Sequence, residues 1–394
     1  MISATEASNI LQSFPLPFKT QCIPLRQSVG STCATDMVSP VDMPPFHNSA
    51  MDGYAFAFAD WQFGKSLRIE GELQAGAGNL PLHKPGTAVR IFTGAVVPEW
   101  ADTVVMQEKT RCEGEWLYVL DENLKCGGNV RLKGSQTLVG QTILRKGTRM
   151  TPGIVGFLAS LGIAELEVVC TPKVAVVVTG NEIVQPGDNL QPGRIYDCNS
   201  YSLDAALQVL GLQCSIYHAI DQRDELKTTL KTALEECDLL LVTGGVSVGD
   251  YDLVVPVLNE LGVETRFHKI KQKPAKPLFF GTKGDQRIFG LPGNPGSVLT
   301  GWYAWVQPYL WQSWGTRSEF LRQKATIMNE LKHKPGLTLF AKGLLRGNRV
   351  EILKGQESYR LDAFVEANCF VVLPEDSEGA NTGDEVEVIL FNPC

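Results

Sequence analysis

The sequence predicts a multi-domain protein that combines α/β and β architecture, and three observations lead to that prediction. The chain has 394 residues, which is too long for one ordinary hydrophobic core. Between Lys173 and about Trp311, apolar runs of strand length alternate with segments of helical periodicity, as in a sheet covered by helices. On both sides of that region, short alternating runs with frequent Gly and Pro indicate β-rich domains.

The N-terminal part of the chain is predicted to form a linking domain from two separate segments. The sequence indicates a short helix near Glu6–Gln12. A second helix is expected over Thr151–Leu161, because Pro152 at its second position suits the first turn of a helix. We therefore assign residues 1–38 and 141–170 to one discontinuous domain.

The segment between these two parts is predicted to be a β-rich insert. Frequent Gly and Pro separate short alternating runs, of which Ala88–Phe92 and Trp116–Leu120 are examples. Such runs, bounded by turn residues, are typical of strands. We assign residues 39–140 to this insert domain.

The central region, residues 171–318, predicts a three-layer α/β/α domain. Its predicted strands are short, apolar and rich in β-branched residues, as buried parallel strands are. They are Val174–Val178, Leu239–Val242 and Ile288–Leu291. The predicted helices are Ser202–Leu210, Glu225–Cys237, Leu253–Leu261 and Val298–Leu310. Because strands and helices alternate, we expect a parallel sheet with helices on both faces.

The C-terminal region, residues 319–394, is predicted to be a small β-barrel or sandwich. Short strands separated by turns are expected at Arg349–Leu353, Cys369–Leu373 and Glu385–Leu390. Several short strands at close spacing are typical of such folds.

Composition and charge argue against several classes of function. The net charge is −7 and no dense Lys/Arg run is present, so we expect no nucleic-acid partner. No uncharged stretch approaches the ~18 apolar residues of a membrane span, and the N-terminus lacks a signal-peptide pattern. The ten Cys include no Cys-x-x-Cys pair and the five His do not cluster, which argues against zinc and disulfide frameworks. We expect a cytoplasmic protein with reduced thiols.

Three loops of similar composition leave the ends of the predicted parallel strands. They begin at Thr179-Gly180-Asn181-Glu182, at Thr243-Gly244-Gly245 and at Pro292-Gly293-Asn294-Pro295. Gly lets backbone N–H groups approach an anion, and carboxylates on the same rim are ligands for a divalent cation. We therefore expect a site for a phosphorylated ligand and a metal at the carboxyl edge of the sheet.

The second of these loops is the most specific. It matches neither a P-loop nor a dinucleotide-binding turn, but Gly244, Gly245 and Ser247 offer several N–H groups to an anion before a helix begins. Of the acids Asp250 and Asp252, one is expected to cap that helix, which leaves the other for a ligand.

Other candidates have an ordinary structural explanation beside the functional one. Lys273 and Lys276 lie in a rigid Lys-Pro-x-Lys-Pro segment and suit an oxyanion as point charges, or they belong to a solvated basic loop. Asp52, in a Pro-flanked loop, either presents a carboxylate to a ligand or serves a turn. Thr93 is either a hydrogen-bond donor to an oxyanion or the end of a strand. Glu108 is either a metal ligand or a solvated acid.

Together these segments resemble the molybdopterin molybdenumtransferase (MoeA) family, to which the E domain of gephyrin is related. The resemblance extends over nearly the whole chain and rests on four motifs in the family's order and spacing. They are Pro-Pro-Phe-x-Asn-Ser-Ala-Met-Asp-Gly-Tyr-Ala at 44–55, Thr-Gly-Gly-Val-Ser-Val-Gly-Asp-x-Asp at 243–252, Lys-Pro-x-Lys-Pro at 273–277 and Gly-Leu-Pro-Gly-Asn-Pro-x-Ser at 290–297.

The resemblance implies a fold, a reaction and partners. Family members are elongated homodimers of four-domain protomers, whose central domain resembles the MogA-like molybdopterin-binding fold. They take adenylylated molybdopterin and molybdate, cleave the phosphoanhydride with a divalent cation, usually Mg²⁺, and release AMP and molybdenum cofactor. Contacts with the pterin-adenylylating enzyme and with cofactor acceptors are also expected.

The resemblance also implies roles for individual residues. The acids for the metal and the attacking water would be Asp52, Glu182, Asp221 and Asp252, with Glu108 as a further metal ligand on the opposite wall. The motif around Asp52 is expected to come from the other subunit. The hosts for the substrate phosphates and the tetrahedral oxyanion would be Thr93, Gly244, Gly245, Ser247, Lys273, Lys276, Pro292, Pro295, Ser297, Lys342 and Ser358.

The sequence departs from the family pattern at four positions. Asn181 and Gln136 stand where a carboxylate is usual, His47 stands where Asp is frequent, and Lys342 replaces an Arg and lacks its bidentate fork. The retained acids favour a transferase, whereas the departures favour a carrier or scaffold that binds the pterin or a partner without turnover. A generic nucleotide hydrolase is a weaker alternative, because the chain has no P-loop. The sequence does not distinguish molybdate from tungstate.

Overall fold

The computed structural model describes residues 1–77, 81–246, 252–315 and 322–391, and the predicted helices are present with bounds shifted by a few residues. The α-helices are Ala4–Ser13, Pro152–Ser160, Asn199–Val209, Arg223–Glu236, Val254–Glu260, Pro295–Gly301 and Gln307–Ser313. The π-helical turn Trp302–Val306 joins the last two. Single 3₁₀ turns are Leu25–Gln27, Phe58–Asp60, Gln107–Lys109 and Asp362–Val365. None of the helices in these ranges combines the length and apolar character of a membrane span.

The central sheet has six strands. The three predicted strands are parallel, and the strand Cys214–Ala219, which was not predicted, pairs in parallel beside them. In spatial order the strands are Cys214–Ala219, Val174–Thr179, Leu239–Thr243, Gln286–Leu291, Phe279–Lys283 and Glu264–His268. The last two are antiparallel to their neighbours. The prediction of a parallel sheet is therefore wrong at this edge, because the turn between Lys283 and Gln286 is too short for a crossover connection.

Helices cover both faces of this sheet, which confirms the three-layer prediction. Alternate residues of one strand point to opposite faces. Val176 accordingly packs in the same core as Leu203 and Trp302. Val177 packs on the other face with Leu230. Full burial of such side chains stabilises the fold by about 1.5–3 kcal/mol each.

The regions before the central domain form small sheets. Thr20–Pro24 pairs with Glu165–Val169, and Met37–Val38 pairs with Thr142–Leu144, so the two segments that flank the insert are joined. The insert contains a six-stranded sheet whose spatial order is Thr103–Met106, Gly53–Phe56, Thr87–Ile91, Leu67–Leu73, Trp116–Val119 and Thr110–Glu113. The short strands Asn48–Ser49 and Val130–Arg131 pair beside it.

The C-terminal region is a closed barrel, which decides between the two predicted alternatives. Its strands are, in order around the barrel, Thr338–Arg346, Arg349–Ile352, Arg322–Ile327, Glu385–Leu390 and Cys369–Leu373. The last of these pairs again with the first, which closes the ring. The strand Gln272–Lys273 of the central domain adds to the barrel in parallel. Leu331–Lys332 pairs with Gly379–Ala380 beside it.

Candidate functional site

The predicted loops leave neighbouring strands at one edge of the central sheet. Because the strands that end at Thr179, Thr243 and Leu291 are adjacent and parallel, their loops start side by side. Gly244 lies between them: its N–H donates to the Leu291 carbonyl at 3.2 Å. A Cβ at Gly244 would come within 2.6 Å of the Thr179 carbonyl, and its φ is +92°, so only Gly suits this position.

A buried amide that the sequence analysis did not select ties two of the loops together. Asn199 donates to the Thr243 hydroxyl at 3.1 Å and to the Gly293 carbonyl at 2.9 Å. The Thr243 hydroxyl in turn donates to the Pro292 carbonyl at 3.1 Å. Asn199 is the first residue of a helix, where a polar residue is unremarkable in a sequence. The fold therefore fixes the second and third loops relative to each other.

Three of the predicted acids influence one another at this edge. Burial raises the pKa of Asp221, and the negative charges of Glu182 and Asp252 raise it further. The backbone N–H of Asp221 donates to the side-chain oxygen of Asn181 at 3.0 Å. The Glu182 side chain folds back over Gly180, where a Cβ would lie 2.9 Å from Oε2. These contacts place a concentration of negative charge beside the loops that are predicted to bind an anion.

A cavity of about 720 Å³ separates the central domain from the barrel. Its wall on the central domain includes Lys273 and Lys276 of the Lys-Pro segment, Pro292 and Asn294 of the third loop, and Ser297 of the helix that follows this loop. On the barrel side it is lined by Leu331, Lys332, Leu337, Leu339, Phe340, Ala341, Gln356, Glu357, Ser358 and Tyr359. The structure thus brings five of the eleven predicted phosphate and oxyanion hosts to one space: Lys273, Lys276, Pro292, Ser297 and Ser358.

The two walls of this cavity touch at the start of the helix Pro295–Gly301. Asn294 Nδ2 donates to Ser358 Oγ at 3.0 Å. A Cβ at Gly296 would lie 2.7 Å from the Ser358 carbonyl and 3.1 Å from that of Arg360. Asn294 belongs to the motif at 290–297. No pattern in the sequence indicates its contact with Ser358 of the barrel, which lies 64 residues further along the chain.

Lys342, which the resemblance implied as an oxyanion host, is a buried lysine. It is 1% exposed, and its ammonium donates to the carbonyls of Gly355, Glu357 and Arg360. It is absent from the residues that line the cavity. All three ammonium hydrogens have backbone acceptors, and the contact of Lys342 with the oxyanion stays a prediction.

A second group of predicted residues lies in the insert domain. Asp52 Oδ1 accepts hydrogen bonds from the backbone N–H and the hydroxyl of Thr93, both at 2.7 Å. These bonds hold the pKa of Asp52 below its usual range, with help from the charge of Arg90. Glu108 accepts from the Gln107 amide at 3.2 Å, and the Gln107 N–H donates to the Asp52 carbonyl at 3.0 Å. The group is therefore compact, and its central acid is kept ionised.

The structure does not bring these two groups of acids together within one chain. Asp52 and Thr93 have their partners in the insert. Across the described ranges, no three His, Cys, Asp or Glu side chains converge as a metal site. Ser247, predicted as an anion host, lies outside the described residues.

The other departures from the family pattern have local structural partners. His47 Nδ1 accepts from the backbone N–H of Lys133 at 3.1 Å. The backbone N–H of Gln136 donates to the Met43 carbonyl at 2.9 Å. Both residues therefore help to fold the loops beside Asp52.

Comparison with known proteins places the chain in a family. Three family models match in sequence order: the MoeA N-terminal region (domain I and II) over residues 2–162, the probable molybdopterin binding domain over residues 175–312, and the MoeA C-terminal region (domain IV) over residues 324–391. A molybdopterin molybdenumtransferase of Haemophilus influenzae is 34% identical, with 98% of this chain and 97% of the relative covered. The chain belongs to the MoeA family.

Further relatives agree with this assignment to the MoeA family. A molybdopterin molybdenumtransferase of Staphylococcus aureus is 34% identical over 93% of this chain and 90% of its own length. The crystal structure of a molybdopterin biosynthesis MoeA protein from Pyrococcus horikoshii superimposes with a TM-score of 0.86 at 31% identity, covering 100% of this chain and 99% of that one. A molybdenum cofactor biosynthesis protein from Pyrococcus furiosus shares the fold, with a TM-score of 0.62 and 20% identity over 99% of both chains.

Proposed function

We propose that this MoeA-family protein is a molybdopterin molybdenumtransferase of molybdenum cofactor biosynthesis. It would take adenylylated molybdopterin and molybdate, cleave the phosphoanhydride, and release AMP and molybdenum cofactor. The observation that carries the proposal is the shared position of the third loop. Pro292 and Gly293 are tied to the edge that carries the acids, whereas Asn294 and Ser297 line the cavity. A phosphate site at the sheet edge and an oxyanion site in the cavity would therefore border the same loop.

The cavity suits a tetrahedral dianion. Lys273 and Lys276 supply positive charge, and the hydroxyls of Ser297 and Ser358 supply donors. Molybdate and tungstate share this charge and shape, so the same residues would bind either anion. We propose molybdate because the curated relatives are named for molybdenum.

The acids at the sheet edge suit a hard divalent cation. Carboxylate oxygens are the ligands that Mg²⁺ prefers, usually one or two with substrate phosphates. The raised pKa of Asp221, caused by burial and then by the charges of Glu182 and Asp252, supports a concentration of negative charge at this edge of the sheet. When bound there, Mg²⁺ would supply charge neutralisation at the phosphoanhydride. The acids would orient the attacking water and accept its proton.

The insert group would complete the site from a second subunit. Asp52, Thr93 and Glu108 form a preorganised set, and the described contacts of Asp52 and Thr93 stay inside the insert. A homodimer in which the insert of one protomer faces the sheet edge of its partner would unite all five acids. We further propose contacts with the pterin-adenylylating enzyme and with cofactor acceptors.

A cytoplasmic location is proposed on the basis of the cysteines. The nine cysteines within the described ranges are all unpaired. Free thiols persist in a reducing compartment.

The test is AMP release from adenylylated molybdopterin in the presence of molybdate and Mg²⁺. We expect molybdate-dependent release by the wild type and a loss of about 100-fold or more in Asp252→Ala, because an acid that positions water or cation contributes on this scale. Asp285→Ala is the matched control: it removes an exposed acid from the hairpin at the opposite edge of the sheet.

The same assay distinguishes the second candidate function. Tight binding of adenylylated molybdopterin by the wild type, without AMP release at any molybdate concentration, would reject the transferase and indicate a carrier or scaffold. Two departures from the family pattern favour this second candidate. Asn181 and Gln136 stand where the family usually has carboxylates.

A further inference from the structure

Lys342 is a buried charge that forms no ion pair with any described carboxylate. It lies in the barrel strand Thr338–Arg346 and is 1% exposed. Its Nζ donates to the carbonyls of Gly355 at 2.7 Å, Arg360 at 3.1 Å and Glu357 at 3.2 Å. Removing an ammonium from water costs several kcal/mol. Burial accordingly lowers the pKa of Lys342, and the negative charges of Asp362 and Glu357 oppose that shift. The three carbonyls supply the hydrogen-bond partners of the buried ammonium.

The three carbonyls belong to one turn, which is fixed to residue 342 in two ways. Besides the ammonium, the main chain of Lys342 engages the Gln356 amide. The Lys342 N–H donates to Gln356 Oε1 at 2.8 Å, and Gln356 Nε2 donates to the Lys342 carbonyl at 2.9 Å. The Phe364 ring lies 5.0 Å from the ammonium and closes its remaining side. The carbonyl oxygens of the turn thus surround the ammonium as they would surround a bound monovalent metal ion.

The same turn forms the barrel wall of the oxyanion cavity. Its residues 356–359 line that cavity. Ser358 accepts the bond from Asn294, and the carbonyls of Ser358 and Arg360 abut Gly296. The position of the turn therefore sets the distance between Ser358 and the helix that carries Ser297.

We propose that Lys342 is a positioning residue for oxyanion binding. Its ammonium acts as an internal cation that holds the turn 355–360, and with it Ser358, against the third loop of the central domain. It strengthens oxyanion binding without touching the anion. The proposal rests on the proposed function only for the identity of that anion.

Two variants separate this role from direct ligation. Lys342→Met removes the donors at similar volume, and we expect at least ~10-fold weaker molybdate binding in equilibrium dialysis, with faster hydrogen exchange at 355–360 and unchanged exchange in the barrel strands. Lys342→Arg places a planar guanidinium where three carbonyls converge on one point. Its N–H groups cannot all reach these carbonyls, so we expect weaker molybdate binding in this variant as well. Wild-type or tighter binding by Lys342→Arg would indicate a direct anion ligand and overturn the proposal. Wild-type exchange of the turn in Lys342→Met would also overturn it.

Chemical rescue adds a readout that a general loss of stability would not give. In Lys342→Ala, methylammonium fits the vacated space and retains three donors, whereas tetramethylammonium has none. We expect methylammonium alone to restore molybdate affinity; absence of rescue in a folded variant would contradict the internal-cation role. Lys324→Met is the control, because it removes an exposed lysine that pairs with Glu385 on the same barrel.

Failure of the proposed function is recognisable separately. If the wild type binds no molybdate, the transferase assignment fails, and hydrogen exchange at 355–360 in Lys342→Met still decides whether Lys342 holds the turn.

Discussion

The side-chain oxygen of Asn181 accepts a hydrogen bond of 3.0 Å from the backbone N–H of Asp221. A carboxylate at position 181 would accept the same bond. The amide therefore keeps this contact at the edge of the acid cluster and removes one negative charge from it. This departure from the family pattern changes the electrostatics of the site more than its architecture.

Asn181→Asp is expected to reduce the Mg²⁺ requirement. The added charge lies beside Asp221, Glu182 and Asp252, and a further carboxylate attracts the cation. We expect the Mg²⁺ concentration for half-maximal AMP release to fall about 3–10-fold, an effect of about 1 kcal/mol. The exposed Asn9→Asp is the control. An unchanged Mg²⁺ requirement would show that the charge at position 181 does not influence the binding of the cation.

Asp221→Asn is expected to stabilise the protein at neutral pH while it impairs AMP release. Asp221 has a raised pKa in the folded state, because of burial and then of Glu182 and Asp252. The folded state therefore binds its proton more tightly than the unfolded state, so stability falls as pH rises through that window.

The measurement for this variant is urea unfolding across pH. We expect Asp221→Asn to have a free energy of unfolding about 0.5–1 kcal/mol above that of the wild type at pH 7.5. The difference should vanish at low pH, where Asp221 is protonated in both states. If the difference in free energy of unfolding grows on acidification, the pKa of Asp221 is not raised in the folded state. Asp285→Asn controls for the loss of a surface charge.

Thr93→Val is expected to shift the acid limb of the pH–rate profile. The backbone N–H of Thr93 contributes most to the low pKa of Asp52, and its hydroxyl contributes next. Removal of the hydroxyl should raise the pKa of Asp52, so the ionised form is lost at a higher pH and AMP release declines earlier on acidification. Thr148→Val removes a hydroxyl that donates to the Arg145 carbonyl and should leave the profile unchanged. Identical profiles for both variants would exclude Asp52 as the titrating group.

Gly53→Ala is expected to disrupt the loop that presents Asp52. A Cβ at Gly53 would lie 1.8 Å from the Val105 carbonyl of the neighbouring strand, so the two strands must separate. We expect a loss of about 3 kcal/mol or more in the free energy of unfolding.

The matched control for Gly53 is Gly156→Ala in the helix Pro152–Ser160. Nothing lies within 4 Å of its added Cβ, and we expect a gain of about 0.5–1 kcal/mol. Equal melting temperatures for the two variants would contradict the close approach at Gly53.

The elements were predictable where local sequence decides them. The buried strand ending at Thr179 and its Gly-rich loop follow from apolar runs and Gly placement alone. The strand pattern alone left a barrel and a sandwich open, because the pairing of Thr338–Arg346 with Cys369–Leu373 depends on registry between distant segments. Strand direction at the far edge of the central sheet depended on a turn length that sequence periodicity does not show.

For the candidate site, the sequence indicated which residues take part better than it indicated which contacts they make. The resemblance selected Asp52 and Thr93 separately, but their bond spans 41 positions in the chain. It also selected Lys342 as an anion ligand, since a motif records which residue stands at a position and not where its side chain points. Asn199, fully occupied between two loops, carried no signal because a single Asn at a helix start is common.

The parallel pairing of Gln272–Lys273 with the first barrel strand has a consequence for anion choice. It joins the two walls of the proposed oxyanion cavity through main-chain hydrogen bonds, which do not depend on side-chain identity. The main chain thus sets the width of the cavity, whereas side chains, that of Lys273 included, set the chemistry of its lining. If this cavity binds the oxyanion as proposed, exchange of Ser297 or Ser358 would change its selectivity while the strand pairing keeps its register.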